Sequence, residues 1–172
     1  MEPQDLRGLL NNFIEYLKTQ KRSTHTIVAY KKDLEQFIGY LVSKEKTYIK
    51  EVKKEDIEDF IKKLITEDYT KKSASRKLNS IRTFFRFLKN QEVIQQNPSL
   101  EVSHPKYNQT PPRILSKLEY RALRDVAKKD LRTYAIIELL LQTGIRIGEL
   151  ANIRLGDIKE DDLEVSGRKI PI

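Results

Sequence analysis

The sequence predicts a mainly α-helical protein in two parts. Three observations carry that reading. Four amphipathic stripes at helical spacing precede Gln91. Four of the chain's six prolines then fall between Pro98 and Pro112 and interrupt the pattern. Two more helical stripes follow, and the chain closes on an alternating tail around a glycine.

The elements can be justified in order. "DLRGLLNNFIEYLKTQK" places Leu6, Leu9, Leu10, Phe13, Ile14 and Leu17 on one helical face. "STHTIVAYKKDLEQFIGYLVSK" repeats this with Ile27, Tyr30, Leu34, Phe37, Ile38 and Leu41, and Ser23 or Thr24 can cap its start. A shorter third helix runs through Ile57, Phe60, Ile61 and Leu64, and a fourth through Ala74, Leu78, Ile81, Phe85 and Leu88. Four such helices on short connections predict a compact bundle. "NPSLEVSHPKYNQTPPRILS" reads as an extended linker. After it come "SKLEYRALRDVAKK", with a capping box of Ser116 and Glu119, and "DLRTYAIIELLLQTG". "DDLEVSGRKIPI" reads as a short β-hairpin. The expected division is 1–103 for the first domain, 104–113 for the linker and 114–172 for the second domain.

Composition narrows the function. No cysteine is present, so disulfides and cysteine metal sites are excluded, and His25 and His104 are too far apart in sequence to suggest a metal site. No apolar run reaches the roughly 18 residues of a spanning helix. "MEPQDLRGLL" lacks the basic start and apolar core of a signal peptide, so a cytoplasmic protein with no membrane partner is expected. Lys and Arg number 33 against 25 Asp and Glu, a net charge of +8. That surplus points to a polyanion, nucleic acid first.

The charge is concentrated on the fourth helix. Between Tyr69 and Gln91 stand Lys71, Lys72, Arg76, Lys77, Arg82, Arg86 and Lys89, with no acidic residue in the window. At about 100° per residue, Lys72, Ser75, Arg76, Asn79, Arg82, Thr83 and Arg86 share an arc distinct from the apolar one. Such a face offers cations to phosphates, and hydroxyl and amide groups to bases. A plain solvated face would mix both signs of charge. Arg22, Ser23 and Thr24 at the start of the second helix form a further candidate phosphate contact, although capping alone would also account for the serine and threonine.

Past the second Leu-rich helix, "TGIRIGELANIRLGDI" sets Arg146 and Glu149 three residues apart after Gly144. By itself this reads equally as a helix salt bridge after a glycine stop. It is also similar to the first catalytic-arginine motif, TG-x-R-x-x-E-L, of the tyrosine recombinases, the Xer-type and phage-integrase group. "STHTIVAYKKDLEQFIGYL", "SASRKLNSIRTFFRFL" and "NPSLEVSHPK" followed by "LSKLEYRAL" resemble that family's helical, SAM-like core-binding domain and its junction with the catalytic domain. The resemblance spans nearly the whole chain in the family's order. It implies double-stranded DNA as partner, with full-length recombinase protomers as further partners. It also implies no cofactor, no metal and no small-molecule substrate. In the family a tyrosine hydroxyl attacks a phosphodiester while cationic side chains stabilise the charge that develops. Arg146 would be the first catalytic arginine, its planar fork suited to two phosphate oxygens, with Glu149 supporting it.

Departures from the family pattern matter as much. The family carries a catalytic lysine in a hairpin turn of the form G-K-G-x-K-x-R-x-x-P, whereas "VSGRKIPI" is several residues shorter. Arg168 or Lys169 stands in that space, and Lys169 is the candidate equivalent. The family's H-x-x-R box and nucleophilic tyrosine follow the hairpin, yet the last of the eight tyrosines here is Tyr134. The expectation is the DNA-binding front of a tyrosine recombinase with a truncated catalytic domain, unable to cleave DNA alone. It would be either an excerpt of a longer enzyme or a natural remnant modulating a full-length recombinase. A small helical DNA-binding regulator is the alternative from another class. Leu139, Leu140 and Leu141 would expose apolar surface in a partial catalytic domain.

Overall fold

Helix α1 (Leu6–Thr19) buries the six-residue stripe from Leu6 to Leu17, and α2 (Thr24–Ser43) buries Leu34, Phe37, Ile38, Tyr40 and Leu41 against it. Helices α3 (Lys54–Thr66) and α4 (Lys71–Asn90) complete the bundle. The computed structural model describes residues 5–108 and 111–171, and divides at Gln109–Thr110 into two compact units. Part of the expected linker, Gln109 and Thr110, therefore lies outside the described residues, as do Met1–Gln4 and Ile172. The fold is mainly α, with one small antiparallel hairpin.

Aromatic rings fill the centre of the first unit. Phe13 is fully buried and meets Tyr30, Phe84 and Phe87 at 5.8, 5.4 and 5.3 Å between centroids, while Phe37 meets Phe60 at 5.1 Å. Such tilted and edge-on pairs add to the area they bury. All four helices end in the same way. A residue with positive φ follows each C-cap, namely Lys21, Glu45, Asp68 and Glu92. The next N–H then bonds back to a carbonyl five residues earlier, as from Arg22 to Leu17 and from Val93 to Leu88. Glycine usually fills this left-handed position. None does so here, which is why these helix ends carry no punctuation in the sequence.

In the second unit, α5 (Lys117–Ala127) has the expected reciprocal cap between Ser116 and Glu119. Helix α6 (Leu131–Thr143) starts on Asp130, whose side chain accepts from the Thr133 N–H at 3.0 Å. It stops at Gly144, whose φ of +64° is the left-handed conformation that a side chain would strain. A one-turn helix α7 (Ile147–Leu150) follows. Strands β1 (Asp162–Val165) and β2 (Arg168–Pro171) then pair antiparallel around Ser166 and Gly167. A small core of Ile145, Leu163 and Val165 is flanked by Leu139, Leu140, Leu150, Ile153 and Ile170. Leu139, Leu140 and Leu141 are half-buried, and no residue of α6 is fully buried, so the leucine run is only partly covered. The most open apolar side chains of this unit are Ile114, Leu118, Leu131, Ile147 and Leu155, 76–90% exposed.

Candidate functional site

Two clusters hold the sequence candidates, one in each unit. In the first, α2 and α4 run antiparallel. Asp33 of α2 meets Arg76, Lys77 and Ser80 of α4, and Gln36 further along α2 reaches back to Tyr69 before α4. The start of α2 is therefore directed toward the end of α4 that carries Arg86.

Lys72, Arg76, Asn79 and Arg86 are exposed along α4, and Thr83 in the same row is half-buried. Their i, i+3 and i+4 spacing makes them one continuous stripe on a single face. Arg22, Ser23 and Thr24 are also exposed. Ser23 is occupied as the cap of α2, accepting from the Thr26 N–H at 3.2 Å. Arg22 and Thr24 remain the available groups there.

Two candidates are placed differently from the sequence expectation. Ser75 is buried, its hydroxyl 2.8 Å from His104 Nδ1. Arg82 turns inward on the segment after α4. It donates from Nε to the Ser99 carbonyl at 3.1 Å, from Nη2 to the Val102 carbonyl at 2.5 Å and from Nη1 to His104 Nε2 at 2.6 Å. On the helical wheel both residues fall at the border between the apolar and basic arcs, so their angle already marked them as ambiguous. What the sequence could not supply was the partner, because the 99–104 segment reads as linker. In the structure that segment is bound to α4 through His104.

The acid-free window also changes character in three dimensions. Asp33, only 1% exposed, lies beneath α4 and accepts from Lys77 Nζ at 3.0 Å, from Ser80 Oγ at 2.8 Å and from Arg76. Lys77 is buried as well and lies 5.4 Å from the centre of the Tyr69 ring. Of the two cations on Asp33, Arg76 keeps its side chain more than half exposed. The available cations of the candidate stripe on α4 are thus Lys72, Arg76 and Arg86. An aspartate three residues after Tyr30 and four before Phe37, within the buried face of α2, was the signal for this cluster.

His104 gives the first unit a pH dependence. An arginine N–H can only donate, so His104 Nε2 must accept and the ring proton sits on Nδ1, donating to Ser75. Burial first, and the Arg82 charge second, push the imidazole below its ordinary value of 6.5. Between the two values the unfolded chain binds more protons, so stability should be complete above about 6.5 and fall as pH drops. Urea midpoints at pH 7.5 and 5.5 should differ more for this chain than for a His104→Gln variant. Equal differences would refute the assignment.

The second cluster surrounds Glu149. Its carboxylate reaches back to the Arg146 backbone N–H at 2.8 Å, which fixes the start of α7. Its other oxygen accepts from Arg146 Nη1 at 3.3 Å and from Arg168 Nη2 at 2.8 Å. The backbone N–H first, and the Arg168 and Arg146 charges next, hold the carboxyl below the usual glutamate range. Glu149 thus bonds both the backbone and the side chain of Arg146, and that side chain stays 79% exposed.

Lys169 is not brought to this cluster. Its register partner is Glu164, and its ammonium lies 4.0 Å from Asp162. Strand alternation explains this. Leu163 and Val165 face the small core, so their cross-strand partners Ile170 and Arg168 share that face, and Lys169 points the other way. Among the described residues no group of three or more His, Cys, Asp or Glu could hold a metal, and no helix is long and apolar enough to cross a membrane.

Comparison with known proteins assigns both units to one family. The family model "Phage integrase, N-terminal SAM-like domain" matches residues 10–92, and "Phage integrase family" matches residues 112–169. The chain belongs to this family, the tyrosine recombinases. It is 36% identical to tyrosine recombinase XerC of Anoxybacillus flavithermus over 162 residues, covering 90% of this chain and 53% of that protein. It is 33% identical to tyrosine recombinase XerD of Rickettsia conorii over 157 residues, covering 88% and 51%. The chain spans about half the length of the curated relatives it matches. In fold it resembles a lambda integrase tetramer bound to a Holliday junction, with a TM-score of 0.81 at 21% identity over 98% of this chain and 50% of that one. It also resembles the integrase of transposon Tn1549 in complex with transposon right end DNA, at 0.73 and 17%, over 98% and 61%.

Proposed function

We propose that this chain is the DNA-binding portion of a site-specific tyrosine recombinase and holds duplex DNA without cleaving it by itself. The single observation that carries this reading is the exposed stripe of Lys72, Arg76, Asn79 and Arg86 along one face of α4. Cations there neutralise backbone phosphates, and Asn79 can pair with a base edge. Arg22 and Thr24 extend the contact from the start of α2. Arg146 is the phosphate-binding arginine of the second unit, with Glu149 holding its fork. In an intact recombinase these groups would stabilise the charge on the phosphoryl oxygens during strand transfer. Full-length recombinase protomers are the proposed protein partners, and the cytoplasm, where chromosomal DNA is reached, is the proposed location.

Residues 1–103 act in this reading as the core-binding domain, 104–113 as the linker and 114–172 as part of the catalytic domain. The anchoring of Val102 and His104 on α4 favours a linker that becomes free only after His104. Limited trypsin and chymotrypsin digestion should cut first at Lys106 and Tyr107, both exposed, and leave a stable N-terminal fragment. Primary cleavage within α4 would refute the division.

Binding and chemistry are tested together. Fluorescence anisotropy with a labelled duplex should show affinity that falls linearly in log–log form with salt. On a nicked suicide substrate carrying a cognate site, a denaturing gel should show no covalent adduct with the 172-residue chain. None of its tyrosines follows Arg146, where the family's nucleophile stands. A shifted, protease-sensitive band would mean that one of the eight had been recruited.

A further inference from the structure

We propose that Arg168 is a second phosphate-gripping cation beside Arg146, an inference that rests on the reading of Arg146 as a phosphate ligand. Both guanidiniums donate to the same oxygen of Glu149, Arg168 at 2.8 Å and Arg146 at 3.3 Å. The two donor nitrogens are therefore no further apart than those two hydrogen bonds laid end to end. Two permanent positive charges meet one carboxylate, so the cluster keeps a net charge of +1. The carboxylate is 16% exposed, while the arginine side chains are 79% and 54% exposed. The negative member is thus enclosed and the positive members face solvent. Among the described residues each guanidinium makes this one hydrogen bond, which leaves most of both forks available. A phosphodiester, with one charge and two free oxygens, matches such a pair in charge and geometry.

The hairpin is what makes Arg168 the partner. Ser166 and Gly167 both have positive φ, at 51° and 74°, and close a two-residue turn directly onto the Val165–Arg168 pair. That turn contains no lysine and has no spare length. The strand parity that turns Lys169 toward Asp162 sends Arg168 to Glu149.

The opposing view is that Arg168 only neutralises Glu149. Arg168→Gln separates the two, because glutamine keeps an N–H donor for Glu149 and removes the charge. The salt dependence of duplex binding should be measured for the full 172-residue chain, Arg168→Gln, Arg168→Lys and Arg146→Gln. Thermal unfolding of each serves as the check on folding. Arg168→Gln is expected to lower the log–log slope by about 0.9, the share of one phosphate contact, with unfolding unchanged. Arg168→Lys should restore the slope. If Arg146→Gln lowers the slope and Arg168→Gln does not, the proposal is overturned and the Arg146 reading stands. If Arg168→Lys behaves like Arg168→Gln, Arg168 acts through Glu149 alone and the proposal is again overturned. If neither glutamine variant changes the slope, the Arg146 reading fails and takes this one with it.

Discussion

Replacing Asp33 with alanine should lower the unfolding free energy of the first unit by about 3–5 kcal/mol, the cost of leaving a buried partner charge uncompensated. Lys77 is the reason. Its side chain is 8% exposed, and Asp33 is the carboxylate that balances it, at 3.0 Å. Without Asp33 the ammonium retains, among the described residues, the Tyr69 ring face, which attracts a cation far less than a carboxylate does. Arg76 would suffer less, because its more exposed side chain can turn to water. A second substitution should recover much of the loss. Changing Lys77 to methionine in the Asp33→Ala background removes the orphaned charge and keeps the stem that packs. Urea unfolding of the four chains of that cycle measures the coupling. A loss below about 1 kcal/mol for Asp33→Ala, typical of exposed ion pairs, would show that the cluster is solvated in solution.

The second large effect concerns DNA. A triple Lys72→Gln, Arg76→Gln, Arg86→Gln variant should lose three phosphate contacts and about 2.7 units of log–log salt slope, at roughly 0.9 per contact. At 0.1 M salt that corresponds to a loss on the order of 10²–10³ in duplex affinity. Glutamine is chosen at position 76 because it can still donate to Asp33, so the bundle should survive. The control removes the same net charge elsewhere, with Lys50, Lys53 and Lys62 changed to glutamine. All three are exposed and lie in or just before α3. If binding reflects only the overall charge of +8, both triples should weaken it alike. If the α4 stripe is the interface, the control should keep most of the slope. Equal slopes for the α4 triple and the unaltered chain would remove the basis of the proposed function.

The amphipathic stripes, the caps at Ser23 and Ser116, and the Arg146–Glu149 spacing were all legible in the sequence. Each depends on residues within one or two turns of one another, where helix geometry alone decides who meets whom. Within the candidate site, local pattern separated the basic arc of α4 from the apolar one. It could not sort the border positions. Ser75 and Arg82 went to His104 and to the carbonyls of Ser99 and Val102, all outside the helix. Asp33 reached α4 from 43 residues away in sequence, and only helix packing could bring it there. The choice between Arg168 and Lys169 was a matter of register, since a one-residue slip in a strand exchanges its two faces. The sequence by itself therefore determined the helices, the family and the pairing of Arg146 with Glu149. Tertiary structure decided which cations are neutralised, because neutralisation requires a carboxylate from another element, and that pairing is made by packing rather than by spacing.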